Sequence, residues 1–401
     1  MLVKVGDTAI AGAIVNEGGK YLFTYDRNVM DKFAVSLTMP ISAQSYEYGR
    51  ELHPIFQMNL PEGDLRATLT TMFRKALSDF NDLDLLRVMG YSQIGRLRYM
   101  DSNAPRTIPT QSVEEILRHQ GTDDLMAALL EKFAQSSGVS GVQPKVLLKD
   151  SALDRLTVQG TTHIVKTFDE NKFPQLAANE FFCMMACERA GLPVAKVALS
   201  DNGRFLIIDR FDIMEDSSYS GVEDFCALNG LGTDRKYSTT YEALAKRIRQ
   251  YVSEQHRRDA LFTYFKSIAM SCAIRNGDAH LKNFAVLYED ATSTVTLAPT
   301  FDMVTTCAYI KDDTMALTLG GSKRFTSAKH LINFGKIHCG MTETETRTTL
   351  EQIGQAVSET KIDVIAYAKE NKRFEKLSEA MIRSWDEGLA SSIRVDSPGV
   401  A

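Results

Sequence analysis

The chain is 401 residues long, with 44% hydrophobic and 24% charged residues and a formal net charge of −5. These values fit a globular chain with room for two or three domains, and they exclude a disordered or fibrous one. The acidic balance supplies no global positive field for nucleic acid or an anionic membrane, which leaves only a local basic patch open.

No run approaches the roughly eighteen apolar residues of a membrane span. The first apolar stretch, Ala9 to Val15, is too short for export and is flanked by Asp7, Thr8, Asn16 and Glu17. A cytoplasmic protein is therefore expected. Six cysteines (Cys183, Cys187, Cys226, Cys272, Cys307, Cys339) are scattered without a CxxC pair. Cys183 and Cys187 could share a helix face, but no histidine or second pair stands nearby to complete a zinc site. Reduced core thiols are the expectation.

Residues 2–25 read as a β-meander with turns at Gly6–Asp7 and Gly18–Gly19. From about Pro61 to Met89 apolar residues recur at three- and four-residue steps, a helical pattern, and a short strand ends near Met100. The polar, proline-containing stretch 101–111 marks a boundary. Ser112 with Glu115 forms a capping box for a short helix stopping near Gly121, and Thr122 to Phe133 reads as another. Ser136 to Lys149 reads as a turn and strand, Thr161 to Phe168 as a strand, and LAANEFFCMMACERAGLPV as a helix stopped by Gly191 and Pro193. Phe205 to Asp212 is a further strand. Helices then dominate: His256 to Arg275, Glu343 to Lys369 and Glu375 to Glu387. The expected fold class is α+β, a strand-rich N-terminal lobe before a mainly helical C-terminal lobe, in the manner of a bilobal protein kinase. Domains are expected at 1–104, 105–211 and 212–401.

The most informative segment is NGDAHLKNF, Asn276 to Phe284, followed by Asp302 in LAPTFDM. Phosphoryl transfer asks a protein for charge neutralisation and alignment rather than covalent chemistry. Asp278 is the candidate to align, or to align and deprotonate, an attacking hydroxyl. Asn283, five positions on, and Asp302 offer oxygen ligands suited to Mg²⁺, which takes few protein ligands beside substrate phosphates. Within the loop, His280 could orient Asp278 or touch nucleotide, or simply bond to backbone. Lys282 could steady the transferred phosphoryl group or be a solvated lysine. A second constellation pairs Lys166, on the strand TTHIVKTF, with Glu180, which lies in the apolar helix stripe of Leu176, Cys183, Met184 and Cys187. A carboxylate there is costly unless a cation meets it, and such a lysine–glutamate pair positions the α- and β-phosphates in kinases. A third, SSGVSGVQPK from Ser136 to Lys145, places Gly138 and Gly141 before a strand, where backbone N–H groups could approach phosphate or make a plain hairpin entry.

Together GVQPK, THIVK, NEFF, DRFD, NGDAHLKN and TFDM resemble the HipA family of bacterial serine/threonine kinases, toxins of HipBA-type toxin–antitoxin modules. FQMNLPEGDLRATL and DLLRVMGYSQIGRL resemble that family's N-terminal subdomain. The resemblance implies a kinase binding ATP and Mg²⁺ between its lobes. Ser140, Gly141, Val142, Gln143 and Lys145 would belong to the phosphate loop and Lys166 would be the nucleotide lysine. Asp209, Arg210 and Phe211 would be the hinge meeting adenine. Asp278 would be catalytic, His280, Lys282 and Asn283 would line the phosphates, and Asp302 would bind metal. It further implies a protein substrate such as an aminoacyl-tRNA synthetase, and a helix-turn-helix antitoxin through which DNA is bound indirectly. Members commonly carry an autophosphorylated serine where this chain has Gly138; Ser137 or Ser140 could serve instead. A phosphate on Ser140 would oppose ATP by like-charge repulsion. Two other functions stay open at this stage: a small-molecule or lipid kinase using the same apparatus, and a non-catalytic scaffold for an antitoxin.

Overall fold

A computed structural model describes residues 1–6, 9–60, 81–89, 93–100, 110–111, 113–118, 145–150, 162–166, 168, 170 and 172–394. Several expectations lie outside the described residues: the helical pattern over 61–80, the boundary stretch 101–109, the cap at Ser112, the helix 122–133, and Ser137 to Gln143. The chain divides into two compact units. The first comprises residues 1–168, 198–235 and 285–295, and the second comprises 169–197, 236–284 and 296–401.

The first unit begins with the expected meander. Leu2–Val5, Ala9–Glu17 and Lys20–Tyr25 pair antiparallel, with Leu97–Met100 on the far side of Leu2–Val5 and the short Tyr46–Glu47 beside Lys20–Tyr25. Gly18 and Gly19 both have positive φ, 60° and 80°, as a two-residue hairpin turn requires. Gly12 is needed for a different reason: a Cβ there would lie 2.2 Å from the Thr24 carbonyl. Val3, Val5, Ile14, Phe23 and Tyr25 close the core over Val35, Met39, Leu52, Ile55 and Phe56. At about 25 cal/mol per Å² of apolar surface, this burial is the main stabilising term of the region.

A second sheet in this unit sets Lys145–Asp150 antiparallel to His163–Lys166, which pairs on its other edge with Leu206–Asp209. Lys166 stands opposite Leu206 on one side and Lys145 on the other. The third strand is shorter than the expected Phe205 to Asp212: Arg210 N still reaches Thr162 O at 3.1 Å, and past that point the Arg210 and Asp212 side chains bind each other. Farther on, Gly221–Asp224 pairs with Ala285–Tyr288, and Gly221 must be glycine because a Cβ would lie 2.2 Å from the Tyr288 ring.

Helices make up most of the second unit: Leu176–Arg189, Tyr241–Tyr251, Glu254–Ala273, Ala328–His338, Glu343–Glu370 and Glu375–Gly388. The longest starts at a capping box. Thr342 Oγ1 accepts from Glu345 N at 3.1 Å, and the Glu345 carboxylate accepts from Thr342 N at 2.8 Å. The Leu176–Arg189 helix buries Leu176, Glu180, Cys183, Met184 and Cys187, the stripe expected from the sequence. Its Asn179 takes Thr305 N at 2.8 Å and gives to Thr305 O at 3.1 Å. Trp385, fully buried and the only tryptophan, donates its indole N–H to Thr305 Oγ1 at 2.6 Å. All six cysteines are free and five are buried; burial lifts the thiols of Cys183, Cys187, Cys272 and Cys339 (Cys183 and Cys272 each to about 12). Among the described residues no helix is long and apolar enough to cross a membrane.

Candidate active site

The helix Glu254–Ala273 delivers the chain into the NGD segment, and the way it ends sets the loop's direction. Asn276 N bonds to Ser271 O at 2.8 Å, which closes the helix in a Schellman-type turn with Arg275 in the left-handed position, φ 58°. That conformation costs a non-glycine residue roughly 1 kcal/mol or more. The Arg275 side chain holds it in place by donating to Glu387 at 3.1 Å and Ser391 at 2.9 Å, with its guanidinium 4.7 Å from the Phe325 ring centroid.

Beyond this turn each residue is pinned through the backbone. Gly277 N donates to Thr306 Oγ1 at 2.7 Å, and a Cβ on Gly277 would lie 2.1 Å from the Asp313 carboxylate. Asp278 N donates to Asn276 Oδ1 at 2.9 Å, and buried Tyr241 donates its hydroxyl to Ala279 O at 2.9 Å. Leu281 N donates to Lys236 O at 3.2 Å, and a 3₁₀ turn over Leu281–Asn283 buries Leu281 and Asn283.

The Asp278 side chain is half-exposed, and its Oδ1 accepts the Tyr237 hydroxyl at 2.8 Å. Desolvation pushes its carboxyl up to about 6; the Tyr237 hydrogen bond works against the shift and the Asp302 charge adds to it. That value suits a general base near neutral pH. His280 is buried, and desolvation brings its imidazole down to about 3, so the ring is neutral. Its Nε2 lies 3.9 Å from Asp278 Oδ1, too far for a hydrogen bond, and its Nδ1 is buried without a partner. Lys282 is half-buried in the same loop.

Asn283 Nδ2 donates to the backbone carbonyl of Asp302 at 3.3 Å, which leaves Asn283 Oδ1 buried and unpartnered. Asp302 has φ 61°, a second non-glycine residue in the left-handed region. The segment before it is tethered by Thr300 N to Pro193 O at 2.7 Å and Ala195 N to Thr300 O at 2.9 Å. An orphaned amide oxygen tied to the backbone of an aspartate is the donor chemistry of a hard cation that takes few protein ligands. Asn283 Oδ1 and the Asp302 carboxylate are oxygen donors of the type that magnesium takes. Among the described residues no group of three or more His, Cys, Asp or Glu is placed to hold a metal ion. A cavity of about 430 Å³ elsewhere in this unit, lined by Arg324, His330, Phe334 and His338 among others, contains none of these residues.

The structure thus gathers Asp278, His280, Lys282, Asn283 and Asp302 in the second unit, where Glu180 also lies, buried. Lys166, buried at the end of its strand, belongs to the first unit with Asp209, Arg210 and Phe211. Arg210 is committed to structure. Its guanidinium donates to Asp212, with Nε to Oδ1 at 2.9 Å and both side chains 1% exposed, and to Gln93 O at 2.9 Å. Asp212 also accepts Gly95 N at 2.7 Å, and Tyr219 lies between the guanidiniums of Arg98 and Arg210 at 4.1 and 5.2 Å. Asp209 stays half-exposed, 3.2 Å from His163 Nε2. Lys145 opens its strand, whereas Ser140, Gly141, Val142 and Gln143 lie outside the described residues. Tyr237 and Lys236 escaped sequence reasoning. Their signal was a lone aromatic in an otherwise polar loop.

Comparison with known proteins follows the same outline. The HipA N-terminal domain matches residues 2–100 and the HipA-like C-terminal domain matches residues 137–361. Y4mE of Sinorhizobium fredii, provisionally named a kinase, is 30% identical over 366 residues, covering 82% of this chain and 83% of its own. The serine/threonine-protein kinase toxin HipA of Shewanella oneidensis is 25% identical over 266 residues, 58% of each chain. The fold resembles HipA of Shewanella oneidensis, solved with HipB and its operator DNA, with a TM-score of 0.71 at 18% identity, covering 98% of this chain and 97% of that one. The α+β, kinase-like fold is therefore that of HipA.

Proposed function

The chain belongs to the HipA family of kinase toxins, and from that premise we propose that it transfers the ATP γ-phosphate to a serine or threonine of a protein. The observation that carries this reading is the buried, unpartnered Asn283 Oδ1, tied through its own amide to Asp302.

In this mechanism Asp278, ionised above about pH 6, accepts the proton of the acceptor hydroxyl. The acceptor oxygen forms its bond to the γ-phosphorus as the bond to the β,γ-bridging oxygen breaks, and ADP leaves with that electron pair. Asn283 and Asp302 would hold Mg²⁺, which when bound neutralises charge on the phosphates. His280, neutral and buried, keeps a second positive charge away from Asp278 and so leaves its basicity intact. Lys282 serves the phosphoryl group, Lys166 the nucleotide phosphates with Glu180 as its partner, and 140–145 the phosphate loop. The backbone of Asp209 to Phe211 meets adenine, since the Arg210 guanidinium is spent on Asp212. The division at residues 104 and 211 belongs to the same reading, and the N-terminal family match ends at residue 100.

The substrate we assign is a translation component such as an aminoacyl-tRNA synthetase. The partner we assign is a helix-turn-helix antitoxin that carries the DNA contact, and the compartment is the cytoplasm; the Shewanella complex with HipB and operator DNA supports the partner. Autophosphorylation, if this chain uses it, falls to Ser137 or Ser140. Phosphoproteomics after brief induction tests the whole reading. New phosphoserine or phosphothreonine on a few proteins, absent with Asp278→Ala together with growth arrest, is the expected result. Label found only in small metabolites would redirect the activity to a small-molecule kinase, and growth arrest that survives Asp278→Ala would point to a scaffold.

A further inference from the structure

Tyr237 is 42% exposed, so burial does not hold its ring in place. Three contacts do. Its hydroxyl lies 2.8 Å from Asp278 Oδ1, its ring meets the His280 ring edge-on at 5.2 Å, and Lys236 Nζ lies 5.6 Å from its centroid. The Lys236 carbonyl, bonded to Leu281 N, ties this segment to the loop that carries Asp278. A protein hydroxyl therefore already sits at hydrogen-bond distance from the oxygen that a general base presents to its acceptor.

We propose that the Tyr237 phenol marks the acceptor-hydroxyl subsite, and that an incoming serine or threonine reaches Asp278 by displacing it. The proposal rests on reading Asp278 as the base and goes beyond it by naming the residue that sets how an acceptor enters. The exchange is near balance: one O–H···O⁻ hydrogen bond is traded for another, and the exposed phenol regains water. Its cost falls on acceptor binding. The ring, packed on His280, stays in place when only the hydroxyl is removed, so the nucleotide side is untouched.

The test uses the full chain with ATP, Mg²⁺ and a degenerate peptide library centred on serine. Wild type against Asp278→Asn decides the kinase reading. A wild type that transfers nothing, or an Asp278→Asn variant that transfers as well, removes the base and the subsite together. Once that arm holds, Tyr237→Phe, which removes the hydroxyl and keeps the ring, decides the subsite. The expected result is an acceptor KM about fivefold lower, from loss of a hydrogen bond of ordinary net worth, with the ATP KM unmoved and kcat no lower. A fall in kcat at constant acceptor KM would make Tyr237 a positioning residue for Asp278, and no change in either parameter would leave the phenol a bystander. Both outcomes overturn the proposal while sparing the base.

Discussion

Asp212 and Asp278 are treated in opposite ways by the units that hold them. Asp212 is sealed at 1% exposure and fully supplied, with two guanidinium nitrogens of Arg210 and the Gly95 N–H on its two oxygens. Asp278 stays half-exposed; its Oδ1 takes one phenol and has a neutral histidine 3.9 Å away. Around it Asn283 Oδ1 and His280 Nδ1 are left buried without partners. A fold that satisfies one aspartate so thoroughly has no general difficulty in doing so. The shortfall at the other is where substrate and metal chemistry can enter.

The sharpest way to break this contrast is to neutralise each carboxylate. Asp278→Asn should lower phosphotransfer about 10²–10⁴-fold, measured as initial rate at saturating ATP, because it removes the base while keeping the shape. Arg210→Ala should cost about 3–5 kcal/mol in urea unfolding, because it strands a buried charge. Asp212→Ala should cost a similar amount, and the double variant less than the sum. An Arg210→Ala protein of normal stability with weakened ATP binding would instead make Arg210 a nucleotide ligand. Asn283→Ala should raise the Mg²⁺ concentration for half-maximal rate about tenfold or more, with little change in thermal stability. The pH profile is a finer probe. Because the base form is needed and its pKa is raised to about 6, kcat/KM should fall about tenfold per pH unit below that value and be flat above it.

The smallest effect concerns stability. A folded-state pKa above the unfolded one means that ionised Asp278 burdens the native state above about pH 6 and ceases to do so below about 4, where both states are protonated. Asp278→Asn should therefore raise Tm by about 1–3 °C at pH 7–8, with the gain vanishing near pH 4. A gain that persisted in acid would assign the effect to packing rather than charge.

Much of this was legible in the sequence because the informative signals are local. The step from Asp278 to Asn283 is contained in one loop, and the meander announces itself by Gly18–Gly19. The helix Glu343–Glu370 is marked by Thr342 and Glu345, and the Glu180 stripe by its apolar company. What escaped depends on distant or atypical partners. Tyr237 meets Asp278 across 41 positions, with no periodicity to connect them. Arg210 sits in DRFD, a polar run at a strand end that gives no hint of its burial against Asp212, Gln93 and Tyr219. Arg275 takes a left-handed backbone usual only for glycine, asparagine or aspartate, and Asp302 takes one as well. Their stability comes from side chains elsewhere, so no local window could reveal them.

The lone indole of Trp385 gives the second unit a built-in optical probe. It is shielded from solvent and bonded to Thr305, three residues past Asp302, so its emission is expected to respond to changes in the segment assigned to the cation. Titrating magnesium or nucleotide while following that emission reads the loop directly, with no label, substrate or turnover required.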